Sequence, residues 1–81
     1  MHEMGLCEAI MDAVERRAAG RRVLAVKVRA GDDLMVAEPA LDQAFVLVSE
    51  GTVAEGARIE MVPVSGHELT LESIEVERPC A

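Results

Sequence analysis

Eight Lys and Arg against fifteen Asp and Glu in 81 residues give a net charge of -7, and Phe45 is the single aromatic. A chain of this length has room for one core, which must be built from Val, Leu, Ile, Ala and Met. The acidic balance disfavours phosphate backbones and anionic lipid, so neither nucleic acid nor membrane is an expected partner.

From Glu3 to Ala19 the spacing predicts a helix, with Cys7, Ile10, Met11, Val14 and Ala18 on one face and Glu8, Asp12, Glu15 and Arg16 on the other. Gly20 is placed to stop it. A strand follows from Arg21 to Ala30, in which Leu24, Val26 and Val28 should point one way and Ala25, Lys27 and Arg29 the other. Gly31-Asp32-Asp33 reads as a turn. A second helix starts near Glu38-Pro39, carries the stripe Leu41, Ala44, Phe45 and Val48, and ends at Gly51.

Two further strands, Ala57 to Val64 and His67 to Glu77, read as a hairpin around Ser65-Gly66. In the last strand Leu69 and Leu71 are out of phase with Ile74 and Val76, so one apolar face survives only with a bulge near Glu72-Ser73. The expected class is α/β (α+β): two helices packed on one face of a small three-stranded mixed sheet, in chain order α-β-α-β-β. The strand-helix-strand passage should cross over right-handed if its strands are parallel neighbours.

No run approaches the roughly twenty apolar residues of a membrane span, and the N-terminus lacks the basic start and apolar middle of a signal peptide. The cytoplasm is the expected compartment. Cys7 and Cys80 form neither a disulfide framework nor a Cys-x-x-Cys metal pair; Cys7 reads as a buried thiol and Cys80 as part of a frayed tail.

Met1-His2-Glu3 is the one constellation with distinctive chemistry. A bulky second residue disfavours removal of the initiator methionine, which leaves a free amine beside amide nitrogens and an imidazole. Such a nitrogen-rich, near-planar set suits Ni(II) or Cu(II) better than zinc, magnesium or calcium. By itself, however, a Met-His start is more often an ordinary terminus than a metal site. His67, the only other histidine, reads first as an exposed turn residue and second as an additional metal ligand. Asp32-Asp33 reads as a solvated turn, since two adjacent carboxylates make a poor calcium or magnesium site. No phosphate loop, nucleophile with its base or spaced catalytic carboxylates can be identified, and the chain is not expected to be an enzyme.

Met1-His2-Glu3-Met4, Leu6-Cys7-Glu8 and Ile10, followed by Val26-Lys27-Val28-Arg29 before a glycine, resemble the HypA/HybF family of hydrogenase nickel-incorporation proteins. The similarity continues through Glu38-Pro39-Ala40-Leu41, Ala44-Phe45 and Gly51-Thr52-Val53-Ala54-Glu55-Gly56-Ala57. It ends with Gly66, Glu68-Leu69 and Ile74-Glu75-Val76-Glu77. The resemblance implies a nickel chaperone working with the GTPase HypB to deliver Ni(II) to the large subunit of nickel-iron hydrogenase, or towards urease. It implies nickel binding through the Met1 amine, the His2 imidazole and the main chain of Glu3, with the Glu3 side chain available to orient the ring.

One departure stands out. The family inserts a zinc lobe with two Cys-x-x-Cys pairs where this chain has only Ser65-Gly66 between Pro63-Val64 and His67, so the thiolates of a structural zinc site have no counterparts. A single HypA-like nickel-binding domain spanning residues 1–81, with the zinc lobe absent at the 63–67 turn and no structural zinc, is the expectation. Two readings stay open: a minimal nickel metallochaperone, or an interaction or regulatory module derived from one that no longer delivers metal. Two strand edges and the shortened turn also offer surfaces for a homodimer.

Overall fold

The computed structural model describes residues 3–78, which form α1 (Glu3–Ala18), β1 (Val23–Gly31), a 3-10 turn at Asp32–Leu34, α2 (Glu38–Ser49), β2 (Arg58–Val64) and β3 (Leu69–Val76). The predicted α+β architecture holds: two helices and a three-stranded mixed sheet in the order α-β-α-β-β. β1 is central, parallel to β2 and antiparallel to β3. α1 lies over β3, α2 over β2, and the helices pack on each other.

The predicted stripes are the ones buried. Cys7, Ile10, Met11, Val14 and Ala18 of α1 meet Leu41, Ala44 and Phe45 of α2 above Val26 and Val28 of β1. Val48 packs at the margin of this cluster. With Phe45 as its only ring, the core fills through branched aliphatic and thioether side chains. On the opposite face β1 carries Lys27 and Arg29, and there Glu72 lies 3.7 Å from Lys27 and 3.5 Å from Arg29. These side chains are more than a third exposed, so the pairs add little stability.

Two register shifts keep the apolar face continuous. In β3, Ser73 pairs with Lys27 and Leu71 with Val28, leaving Glu72 as the extra residue where the phase change demanded a bulge. The second shift lies in β1 and corrects the predicted alternation: Val23 pairs with Val76 and Ala25 with Glu75. Leu24 is thereby displaced from the core face and 44% exposed, while Val23 is buried in its place.

β2 and β3 do not form the expected hairpin. β1 lies between them, so residues 65–68 must cross its C-terminal end, spanning two strand spacings, or roughly 10 Å. The crossing is tied down by hydrogen bonds from the Asp33 amide to the Gly66 carbonyl (2.9 Å), the Gly31 amide to the Glu68 carbonyl (2.8 Å) and the Gly66 amide to Asp32 Oδ1 (3.3 Å). Asp32 is therefore a tether as well as a solvated turn residue. At the end of α1 the left-handed conformation begins at Ala19 (φ 51°), one residue before the predicted stop at Gly20 (φ 86°).

Candidate metal centre

Met1 and His2 lie outside the described residues, as does Cys80, so Glu3 is the described member of the N-terminal constellation. Glu3 is the first residue of α1 and half-buried. The opening amides of a helix have no carbonyl one turn back to bond. The Glu3 nitrogen is consequently not required by the helical ladder. The position is not electrostatically neutral, because a helix N-terminus disfavours a cation, and the Glu3 carboxylate in the first turn opposes that effect.

The helix start is held in place from below. Leu6, Cys7 and Ile10 are buried, and the Cys7 thiol donates to the Leu41 carbonyl at 3.5 Å, joining the second turn of α1 to the start of α2. Burial, and secondarily the Glu3 carboxylate, pushes the Cys7 thiol up to about 11. A thiol held neutral and turned into the core is a packing group; a metal ligand or nucleophile would need the thiolate.

His67 is exposed on the crossing between β2 and β3, in an open groove of about 340 Å³ that includes Arg29, Glu68 and Thr70. One imidazole and one carboxylate are too few to close a coordination shell. No group of three or more His, Cys, Asp or Glu side chains that could hold a metal ion occurs among the described residues. The structure thus brings together the backbone and packing around the N-terminus and does not draw His67 into a described ligand cluster.

Some residues in the short sequence matches turn out to be structural. In the segment after α2, Thr52 Oγ1 donates to the Ser49 carbonyl at 2.6 Å and accepts from the Ala54 amide at 3.1 Å, while the Glu55 side chain accepts from the Gly51 amide at 3.2 Å. Arg22 donates to the Glu55 carbonyl at 2.7 Å, and Ala54 is fully buried. The signal for this self-stapled turn was the Gly-Thr-x-x-Glu-Gly spelling, with Gly51 and Gly56 both at positive φ.

Comparison with known proteins agrees with the local resemblance. A family described as "Hydrogenase/urease nickel incorporation, metallochaperone, hypA" matches residues 1–77. Proteins named hydrogenase maturation factor HypA are similar: that of Geobacter metallireducens is 41% identical over 68 residues, covering 82% of this chain and 62% of the relative. That of Desulfitobacterium hafniense is 46% identical over 72 residues, with the same coverage of 82% and 62%. An archaeal relative from Archaeoglobus fulgidus is 41% identical over 64 residues, covering 75% of this chain and 58% of its own length. The chain therefore spans about three-fifths of the length of these relatives. The family is one of metallochaperones, not enzymes. With the profile covering nearly all of the sequence and relatives above 40% identity, the chain belongs to the HypA family of hydrogenase/urease nickel-incorporation metallochaperones.

Proposed function

We propose that this chain carries Ni(II) as cargo at Met1-His2-Glu3 for maturation of nickel-iron hydrogenase or urease. The observation that carries the reading is the family match, which begins at residue 1 and so takes in Met1, His2 and Glu3. The placement of Glu3 at the start of α1 supports it, because metallation of that amide nitrogen costs no helical hydrogen bond. The amine, the imidazole and any coordinating amides must lose protons to bind, so affinity falls as pH is lowered. HypB and the hydrogenase large subunit are the partners proposed from the family. A single nickel-binding domain without the zinc lobe is proposed for residues 1–81; the support is the crossing at residues 65–68, four residues long between β2 and β3.

Calorimetric titration of tag-free protein with Ni(II) tests the site. Submicromolar binding that is lost in both His2→Ala and a form extended before Met1 is the expected result. His67→Ala should retain it. Weak binding indifferent to the first two changes would sink the nickel reading and leave the interaction module.

A further inference from the structure

The two free edges of the sheet differ, and the difference is readable from main-chain direction. Met61 donates its amide to Glu38 Oε2 at 3.2 Å, so the outward-facing groups of β2 are those of Ile59, Met61 and Pro63. Of three outward amide positions, one is occupied by a carboxylate and one is a proline without a hydrogen. That edge is blunted.

On β3 the Glu77 amide bonds inward to the Arg22 carbonyl and the Glu68 carbonyl bonds inward to the Gly31 amide. Allowing for the bulge at Glu72, the outward-facing groups are those of Leu69, Leu71, Ile74 and Val76. Arg17 of α1 reaches the bulge and donates to the Glu72 carbonyl at 3.3 Å. Beyond it, no side chain among the described residues hydrogen-bonds to the outward amides and carbonyls of Ile74 and Val76.

We propose that this half-edge, centred on Ile74 and Val76, takes an extended segment of a partner protein in which apolar residues alternate with Lys or Arg. Main-chain pairing supplies the attachment, as in strand addition generally. The alternation follows from the two faces. Ile74 and Val76 are half-buried against the core, so an added strand sets its apolar residues beside them. On the other face Glu75 and Glu77 are exposed, and residues 68–77 hold four glutamates and no basic residue. Glu72 is neutralised by Lys27 and Arg29, leaving Glu75 and Glu77 to face the added strand. Opposite charges side by side on neighbouring strands attract and like charges repel. A second copy of the chain would bring glutamates against glutamates. The proposal is independent of the nickel reading.

The test is fluorescence anisotropy of labelled Lys-Val-Lys-Val-Lys-Val peptide with the full chain, a Glu-Val peptide of equal length as control, and amide hydrogen exchange on the complex. Preference for the Lys-Val peptide, with exchange slowed at Ile74 and Val76, is expected. The double variant Glu75→Lys/Glu77→Lys, whose exposed side chains leave the core intact, should shift the ratio of the two affinities roughly tenfold or more toward the Glu-Val peptide. Equal binding of both peptides, protection on β2 instead, or dimerisation that protects Ile74 and Val76 without peptide would overturn the proposal.

Discussion

At Gly31 an added Cβ would overlap the Gly66 carbonyl and come within 2.7 Å of the His67 amide nitrogen. The atoms it would meet are backbone and cannot swing aside, so Gly31→Ala must either lift the crossing or bend the end of β1. We expect a loss of about 2 kcal/mol or more in urea unfolding, with Gly5→Ala, which meets nothing within 4 Å, as the harmless comparison. Cys7 makes a second residue-level prediction. Its pKa rises on folding from 9.0 to about 11, so stability from the neutral thiol is complete below about pH 9 and lost as pH climbs through 11. The urea midpoint should therefore fall less steeply across that interval in Cys7→Val than in the parent. Equal slopes would mean that the thiol is not desolvated in the fold. The apolar stripe around Cys7 announced its burial, whereas the approach of Gly66 to Gly31 joins positions far apart in sequence and had no local signal.

For helix α1, the stop is a matter of which residue enters the left-handed region first. Ala19 does so at φ 51°, followed by Gly20 at 86°, and Ala19 is exposed with its amide bonded to the Glu15 carbonyl at 3.2 Å. Glycine lacks the Cβ that opposes this conformation, so Ala19→Gly should raise stability by roughly 0.5 to 1 kcal/mol, seen as a higher midpoint in thermal unfolding. A fall would show that unfolded-chain entropy outweighs the relief of strain. Periodicity found both helices to within two residues because their stripes are long and uniform. In β3, the mismatch between Leu69-Leu71 and Ile74-Val76 made its bulge legible from residue order alone. The bulge of β1 was hidden, since Leu24 continues an unbroken apolar alternation and is displaced only because Val23 must meet Val76 across the strands.

For the molecule as a whole, the four-residue crossing at residues 65–68 gives the last prediction: elemental analysis of purified protein should find no stoichiometric zinc, because two cysteines cannot supply four thiolates. Zinc at one equivalent per chain, unaffected by replacing both cysteines, would require another ligand set and overturn the proposed absence of structural zinc. Residue spelling and hydrophobic period determined the family, the elements and the buried stripes, because these depend on neighbours one or two turns away. They also singled out Met1-His2-Glu3, whose proposed ligands are adjacent in the chain and need no fold to assemble them. Only the tertiary structure decided that β1 is central. A pair of strands separated by four residues looks the same in sequence whether they pair with each other or flank a third. The choice rests on the main-chain bonds that Gly31, Asp33 and Glu68 make across the crossing, and on the burial of Val26 and Val28 beneath both helices. The same long-range arrangement left one sheet edge blunted by Glu38 and Pro63 and the other open at Ile74 and Val76, since which edge a strand occupies is decided by its partners and not by its own residues.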